Sequence, residues 1–457
     1  MSRGTPGYLP HMPSVPLPSA TQLLVIGGGP AGSSAAWHAA QAGHEVLLLD
    51  RARFPRAKPC AEYVSPEGAR ILSAMGALDT LEQHGAPLTG MVVHAPSGHR
   101  IHGEFVARHG FRGFRDRGLG IRREVLDTVL LERTRAAGVH VVEDAKVEEL
   151  LTDHRGRVRG ARVRHDGVVR EVRCTMVIGA DGLRSVVSRR LGLARTSRWP
   201  RRMALVTHMR GVSGVSSLGE MHVSSDGYLG LASVGDDVTN VALVVPQVMA
   251  QGMAGDRIAF LEQWIARHPS LARRFVHAER VAAVHATGPF ASRARRPWHP
   301  GAALVGDAAD FFDPFTGEGI FAALRGGEVL APFASDALRA AERGDHAAEH
   351  RALRGYDQER HRVFGGKWRV ERLIGTAVAI PSLMNGAARV LGPDRDLADL
   401  LIGVTGDFVP ASAVLAPRTV GRLVWAMART FTRPALEGTP AAATPLSSSV
   451  PQHVHRP

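Results

Sequence analysis

Three glycines and one acid near the start of the chain are the first residues whose types and spacing suggest chemistry. Gly27, Gly29 and Gly32 are spaced as G-x-G-x-x-G, which allows a tight turn and a close approach of the backbone to a pyrophosphate. The helix that follows such a turn offers unpaired N–H groups to the phosphates. Asp50 stands 18 residues after Gly32, where an acid can accept hydrogen bonds from a ribose. The pattern predicts the binding of a dinucleotide.

The segments around these residues have the order needed to position them. Residues 23–26 form a short apolar run that predicts a buried strand, and residues 31–42 are alanine-rich and helical in character. Residues 45–49 form a second apolar strand that ends at Asp50. A lone G-x-G-x-x-G is a weak signal. The complete order of strand, helix, strand and acid favours a dinucleotide site over a glycine-rich turn in some other α/β protein.

The composition fits a globular protein of two or three domains. The chain has 457 residues, of which 44% are hydrophobic and 22% are charged. The net charge of +13 could indicate a nucleic-acid or membrane partner, but arginine supplies 53 of the 56 basic residues and is scattered along the chain. A compositional bias towards arginine explains this better than a nucleic-acid-binding face, so no nucleic-acid partner is predicted.

Cysteine usage and the ends of the chain add weaker expectations. Cys60 and Cys174 cannot form a disulfide framework and no signal peptide is recognisable, so the expected location is cytoplasmic. The proline-rich residues 1–20 and the last residues, 437–457, are expected to be disordered. Residues 373–425 are apolar with scattered arginines. They could form a helical cap on the core or a peripheral membrane contact, and the cap is favoured.

Two further motifs place the first one in a family. They are GADGLRSVVSR at residues 179–189 and LVGDAADFFDPFTGEGIFAALRGGE at residues 304–328. Together with the N-terminal glycines, they resemble the FAD-dependent monooxygenase and geranylgeranyl-reductase superfamily, which shares the fold of para-hydroxybenzoate hydroxylase. The resemblance covers about residues 21–345 and implies a tightly bound FAD. Because only one dinucleotide fingerprint is visible, NAD(P)H is expected to bind only transiently, as the reductant.

The resemblance implies an α/β fold in which a discontinuous Rossmann-like FAD-binding domain is interrupted by a β-rich substrate domain and followed by a C-terminal helical segment. The expected boundaries are a leader at 1–20, FAD-binding elements at 21–95, a mixed region at 96–195 with FAD-binding elements at 120–190, the substrate domain at 196–290, further FAD-binding elements at 291–345, a helical cap at 346–436 and a tail at 437–457.

The resemblance also implies roles for single residues. Asp307, in the pair Gly306-Asp307, would hydrogen-bond the ribityl–pyrophosphate region, and Asp181 would support the pyrophosphate and transient NAD(P)H docking. Both acids could instead be simple helix caps. Arg123 would face the FAD phosphates. The further cofactor contacts implied are Ala31, Arg51, Lys58, Cys60, Ala61 and Val147.

The segment from Pro314 to Gly319 resembles the loop that passes under the isoalloxazine ring. Gly317 and Gly319 would permit a close backbone approach, and a helix that begins near Ile320 would point its positive end at the flavin. That placement stabilises the anionic reduced flavin.

Residues 51–72 resemble the F-P-R-x-K-x-C-G-x segment of the geranylgeranyl-reductase-like subgroup. Cys60 matches the cysteine of that segment, whereas Ala61 replaces the glycine. Cys60 could donate a proton or could only form part of the cavity wall. Lys58 could approach the flavin or a phosphate, or could face solvent.

Three enzymatic functions and one non-enzymatic function are compatible with these motifs. They are O2-dependent hydroxylation of a hydrophobic aromatic or polyketide-like molecule, reduction of isoprenoid double bonds, halogenation and lipid carriage. The Y-x-W-x-F-P segment of geranylgeranyl reductases is reduced here to Tyr228 with none of the other three residues, and the W-x-W-x-I-P segment of halogenases is absent. The sequence therefore favours an NAD(P)H-dependent monooxygenase, with isoprenoid reduction as the alternative.

The wall of the substrate site should come from the β-rich region. His208, His222 and Tyr228 are its candidate catalytic residues, because each could exchange a proton with a phenol or orient a carbonyl. Each could equally be a strand residue with a structural hydrogen bond. Apolar neighbours indicate a hydrophobic substrate, namely Leu205, Met209, Met221 and Leu231.

Overall fold

The computed structural model describes residues 16–196, 199 and 201–422. In chain order the strands are β1 Ala20–Ile26, β2 Val46–Leu49, β3 Tyr63–Val64, β4 Ala86–Leu88, β5 Gly90–His94, β6 Arg100–Glu104, β7 Gly118–Gly120, β8 His140–Val142, β9 Lys146–Thr152, β10 Val158–His165, β11 Val168–Gly179, β12 Ala194–Thr196, β13 Arg202–Arg210, β14 Leu218–Ser224, β15 Gly227–Ser233, β16 Thr239–Pro246, β17 Glu279–Arg280, β18 His285–Thr287, β19 Ser292–Ala294, β20 Trp298–His299, β21 Ala302–Leu304 and β22 Asp310–Phe311.

The helices are α1 Pro30–Gln41, α2 Pro66–Ala74, α3 Leu78–Glu82, α4 Arg123–Ala136, α5 Val186–Arg190, α6 Ala250–Gly255, α7 Arg257–Ala266, α8 Pro269–Ala272, α9 Gly319–Glu342, α10 His346–Ala379, α11 Pro381–Leu391, α12 Arg395–Thr405 and α13 Ala411–Val414. Two of the short 3₁₀ turns, Gly306–Ala308 and Pro314–Thr316, belong to the motifs described above.

The first sheet brings the three sequence motifs to one edge. Its main path is β20-β21-β11-β1-β2-β8, and β1 pairs in parallel with both β2 and β11. Ile26 at the end of β1 is in register with Leu49 and with Gly179, and Gly179 is in register with Leu304. The carboxyl ends of parallel strands share an edge of the sheet. The loops that follow β1, β11 and β21, which carry the three motifs, therefore converge there.

Helices α1 and α9 cross closely on one face of this sheet. A Cβ atom at Gly327 of α9 would lie 2.6 Å from the backbone nitrogen of Ala35 in α1, so only glycine allows this contact. The N-terminal part of α10 packs against the same layer through Leu353 and Tyr356. A buried ion pair between Arg157 and Glu349, 3.0 Å apart, joins α10 to the loop before β10.

The second large sheet has the order β17-β13-β16-β15-β14-β5-β6. Side chains alternate between its two faces, as the strand period requires. One face carries Val206, Met221 and Tyr228, which belong to a core cluster that extends to the C-terminal helices. The opposite face carries Leu205 and packs against α7.

The structure departs from two of the expected boundaries. β5 was expected among the FAD-binding elements of residues 21–95, but it pairs in parallel with β14 of the second sheet, and β6 pairs with β5. The physical reason is that Met91 and Val93 of β5 complete the same apolar face as Met221. In addition, β1 begins at Ala20, inside the expected leader. Residues 1–15 and the predicted tail at 437–457 lie outside the described residues.

The C-terminal region is helical where it is described, over α10 to α13. Among the described residues, none of the helices is by itself both long and apolar enough to cross a membrane. Helices α10 and α11, which meet at a bend of 112°, satisfy the requirements of length and composition only as a pair.

Candidate functional site

A cavity of about 370 Å³ lies where the first sheet meets the second. The glycine turn after β1, the segment before β3, the turn after β11, the segment from Asp307 to α9 and one face of the second sheet all line it. The predicted cofactor residues that line this cavity are Gly29, Ala31, Arg51, Lys58, Cys60, Ala61, Arg123, Asp181, Asp307, Pro314, Gly317, Gly319 and Ile320. Motifs that are far apart in the sequence therefore form one cavity.

The glycine turn has the space that a bound phosphate requires. A Cβ atom at Gly32 would lie 1.7 Å from the carbonyl oxygen of Gly27, so this position must be glycine for the turn to form. At Gly29, by contrast, the nearest atoms to a Cβ would be guanidinium nitrogens of Arg123 and Arg56, both at 3.6 Å. The surface of Gly29 is therefore open and faces two cations.

Asp50 braces this turn. Its Oδ2 accepts a hydrogen bond from the backbone N–H of Gly28 at 2.7 Å, and its Oδ1 accepts one from Ala52 at 2.8 Å. Asp50 is buried and is not part of the cavity lining. Gly306 packs closely against Ala31, which lines the cavity. Its φ is +58°, and a Cβ atom there would lie 2.8 Å from the side chain of Ala31.

A group of cations lies beside the turn. The guanidinium of Arg123 donates bidentate hydrogen bonds to the buried carboxylate of Asp127, at 2.8 and 2.7 Å. Arg56 lies 3.2 Å from the same carboxylate. Burial opposes the charge on Arg123, but Asp127 and Cys60 together outweigh it and raise the pKa of Arg123. Lys58 forms no ion pair with any described residue. Burial and the nearby Arg123 lower its pKa, and Asp307 acts in the opposite direction.

The two motif acids differ in their surroundings. Asp181 accepts a hydrogen bond from the backbone N–H of Val186 at 2.5 Å, so it caps α5 while it also lines the cavity. Asp307 makes no hydrogen bond or ion pair with a described residue. Burial raises the pKa of Asp307, against the opposing charges of Lys58 and Arg123.

These groups fit FAD. The open backbone at Gly29, the guanidinium groups of Arg123 and Arg56 and the unpaired Lys58 suit the pyrophosphate. Asp307 has a free carboxylate that can accept hydrogen bonds from ribityl hydroxyls.

The loop after β22 shapes the opposite wall. Gly317 has a φ of +71°, and a Cβ atom there would lie 3.0 Å from the ring of Tyr63. Helix α9 begins at Gly319, one residue before the predicted start, and its first residues, Gly319 and Ile320, line the cavity. The unpaired N–H groups and the positive end of α9 therefore face it.

Tyr228 and Cys60 both lie on the cavity wall, with different partners. The hydroxyl of Tyr228 donates a hydrogen bond to Asp313 at 2.9 Å, and Asp313 is also paired with Arg202 at 2.5 Å. Burial, followed by the charge of Asp313, raises the pKa of Tyr228. Cys60 is half-buried, and Asn240 of the second sheet donates a hydrogen bond to its carbonyl oxygen at 3.0 Å.

The two predicted histidines do not reach the cavity. His222 lies on the opposite face of the sheet, because its neighbour Met221 faces the cavity and side chains alternate. There it contacts Glu220 at 2.8 Å and stacks on His94. His208 is on the cavity side of the sheet but contacts the buried Glu62 at 2.6 Å and does not line the cavity.

Two other sequence expectations are corrected by the same rule of strand geometry. Val147 is buried in β9, opposite Val163 of β10, and belongs to a core cluster away from the cavity. Of the apolar residues expected to contact the substrate, Met221 faces the cavity cluster. The cluster on the other face contains Leu205, Met209 and Leu231, of which Leu231 also lines the cavity.

Sequence reasoning missed a buried polar network behind the Cys60 segment. Glu62 is 2% exposed and accepts hydrogen bonds from the backbone of Arg123 at 2.8 Å and from Asn240 at 3.0 Å, in addition to its contact with His208. No local pattern marks Glu62. Asp313, in contrast, lies within the quoted D-P-F-T-G motif and could have been singled out.

The comparisons with known proteins agree with this architecture. The family described as FAD binding domain matches residues 20–369. The chain is 28% identical over 394 residues to digeranylgeranylglycerophospholipid reductase 2 of Methanopyrus kandleri, covering 85% of this chain and 93% of that protein.

Two solved structures share the fold. The myxobacterial chondrochloren halogenase CndH is 25% identical, with a TM-score of 0.71, covering 90% of this chain and 97% of that one. pqsL of Pseudomonas aeruginosa, described as a probable FAD-dependent monooxygenase, is 23% identical, with a TM-score of 0.64, covering 80% of this chain and 99% of that one. The extent of the family match, over a site that fits the cofactor, shows that this chain is an FAD-dependent oxidoreductase of the FAD binding domain family.

Proposed function

We propose that this protein reduces carbon–carbon double bonds of an isoprenoid lipid. The observation that carries the proposal is the chemistry of the sheet face that lines the cavity. Apart from Tyr228 and Asn240, the side chains there are small or apolar, namely Ala204, Val206, Met221, Gly230, Ala242 and Val244. An apolar wall suits a hydrocarbon chain, which offers no polar group to bind.

The absence of a free base on the described part of this face argues against hydroxylation of a phenol. Hydroxylation of a phenolic ring is assisted by a group that can remove the phenol proton. The hydroxyl of Tyr228 donates a hydrogen bond to Asp313. His222 lies on the opposite face of the sheet, and His208 is hydrogen-bonded to Glu62. The sequence alone favoured monooxygenation, whereas the absence of a base here and the reductase relatives favour reduction.

Halogenation is disfavoured by the position of Lys58. A halogenating enzyme of this kind needs a reactive lysine beside its substrate. Among the described lysines only Lys58 lines the cavity, and it lies next to Asp307 and Gly182, among the groups suited to the pyrophosphate.

Reduction of an alkene adds a hydride to one carbon and a proton to the other. When bound, FAD supplies the hydride, and NAD(P)H is the proposed source of its electrons. The apolar sheet face holds the alkene and excludes water. The Sγ–H of Cys60 is the proposed proton source, because Cys60 lines the cavity and Asn240 holds its backbone against the sheet.

The test is an anaerobic assay with NADPH or dithionite as reductant and a polyprenyl glycerolipid as substrate, followed by mass spectrometry. A gain of two hydrogen atoms per double bond, with no requirement for O2, is expected. A product that gains one oxygen atom, formed only in air, would contradict the proposal.

The role of Cys60 is tested separately by comparing Cys60→Ala with Cys60→Ser. We expect Cys60→Ala to lower kcat at least about a hundredfold with KM unchanged, which is the lower limit of a usual acid–base contribution. Cys60→Ser should retain more activity than Cys60→Ala. Equal kcat values for wild type and both variants would assign Cys60 to the wall only.

A further inference from the structure

The bend between α10 and α11 exposes apolar side chains to solvent. We call residues 372–389 the elbow. Leu373 is 59% exposed, Ile380 is 37% exposed and Leu383 is 41% exposed. The two helices meet at a bend of 112°, where Ile380 lies between them.

The elbow is also positively charged. From residue 372 to residue 393 the sequence contains Arg372 and Arg389 but no aspartate or glutamate. Both arginines are exposed, and neither forms an ion pair with a described residue. Exposed leucine and isoleucine flanked by unpaired arginine are typical of helices that lie in the plane of an anionic membrane surface.

The inner side of the elbow packs against the apolar side chains of the second sheet on its cavity side. Val378, Met384 and Ala388 pack in the same apolar cluster as Met221 and Tyr228. In addition, Arg202, which is paired with the Asp313 that accepts the Tyr228 hydrogen bond, donates a hydrogen bond to the carbonyl oxygen of Gly375 at 3.0 Å. The elbow therefore shares an apolar cluster with residues that line the proposed substrate site.

We propose that the elbow docks on the surface of an anionic lipid bilayer. The exposed Leu373, Ile380 and Leu383 enter the headgroup region, and Arg372 and Arg389 pair with lipid phosphates. The substrate class rests on the proposed function, since a glycerolipid substrate resides in such a bilayer. A second copy of the chain is a poorer occupant, because a two-fold interface through this surface would place the unpaired arginines of both copies together.

The test is co-sedimentation of the full chain with phosphatidylcholine vesicles, with and without phosphatidylglycerol. We expect binding to the anionic vesicles that weakens with salt. The double variant Leu373→Asp/Leu383→Asp should reduce the partition coefficient at least about tenfold, because it removes the apolar contacts and adds repulsion. The matched control is Val248→Asp/Val276→Asp, which changes two exposed valines outside the elbow, 87% and 70% exposed, and should bind as wild type does.

Further outcomes separate the docking proposal from the proposed function. Arg372→Gln/Arg389→Gln should weaken binding to anionic vesicles and not to neutral ones. Equal binding by wild type and the leucine variant, with circular dichroism unchanged, would overturn the docking proposal. The docking proposal would also be overturned if the wild type were a dimer that does not bind vesicles and the leucine variant were a monomer. Activity on detergent-dispersed substrate tests the reduction independently of the bilayer. A leucine variant that loses vesicle binding but keeps its activity in detergent supports the docking proposal and leaves the proposed function intact.

Discussion

Replacing Gly29 by alanine separates cofactor binding from folding. The backbone at Gly29 has φ −77° and ψ −173°, which alanine adopts without strain. A Cβ atom there would come no closer than 3.6 Å to any protein atom, and the atoms it approaches are the ends of two flexible arginines. The free energy of unfolding of the apoprotein should therefore change by no more than about 0.5 kcal/mol.

FAD binding should respond differently, because the new methyl group occupies the surface where the pyrophosphate meets the backbone N–H groups. The loss of one hydrogen bond to a charged oxygen costs about 1.5–3 kcal/mol, which is about 10- to 150-fold in affinity. Titration of apoprotein with FAD, followed by flavin fluorescence, measures this change, and chemical denaturation of the apoprotein measures stability.

Two neighbouring glycines serve as controls. Gly32→Ala should prevent folding of the turn altogether, because its Cβ would lie 1.7 Å from the Gly27 oxygen. Gly28→Ala points into the core, with its nearest contact at 3.2 Å, and should lower stability while retaining FAD. An FAD affinity of Gly29→Ala within threefold of wild type would refute the assignment of the pyrophosphate to this turn.

Three other perturbations test the site and its support. Asp307→Ala should yield protein that purifies with little FAD, measured by absorbance, because the ribityl chain loses its carboxylate acceptor; full occupancy would contradict this role. Tyr228→Phe should lower the free energy of unfolding by about 1–3 kcal/mol, since Asp313 loses a buried hydrogen bond, and should leave kcat within about threefold; a larger loss of kcat would make the tyrosine catalytic. Burial raises the pKa of Glu220, but the hydrogen bonds and charges of Arg274 and His222 together outweigh it and lower that pKa to about 2. The stability that Glu220 contributes is therefore present above its unfolded pKa and lost as pH falls from about 4.3 through about 2. Glu220→Gln should flatten the acid unfolding curve in that window.

The cofactor half of the site was predictable because its signals are local. The glycine spacing and the apolar strand before it are within one short segment, and each has a fixed mechanical role, whereas the ribose contact of Asp50 stays a prediction. The start of α9 was predicted to within one residue for the same reason, since Gly317 and Gly319 mark the turn before it.

The substrate half was not predictable to the same degree, because it depends on strand register. His222 and Met221 are adjacent in sequence, and only the pairing with β15 and β5 decides which of them faces the cavity. The position of β5 depends on a parallel pairing with a strand that follows more than 120 residues later. Glu62 contacts partners from β13, β16 and α4, which no local pattern can reveal.

Under the proposed function, that register is what separates a wall suited to reduction from one suited to oxygenation. The sheet supplies the substrate wall, so a shift of one residue in β14 would exchange Met221 for a histidine paired with a carboxylate. A wall with such a histidine could remove a proton from a phenol, whereas β14 here turns the apolar Met221 towards the cavity. The same FAD-binding motifs can therefore serve either chemistry. We argue that the choice lies in which face of the second sheet is turned towards the cofactor, and not in the cofactor site itself.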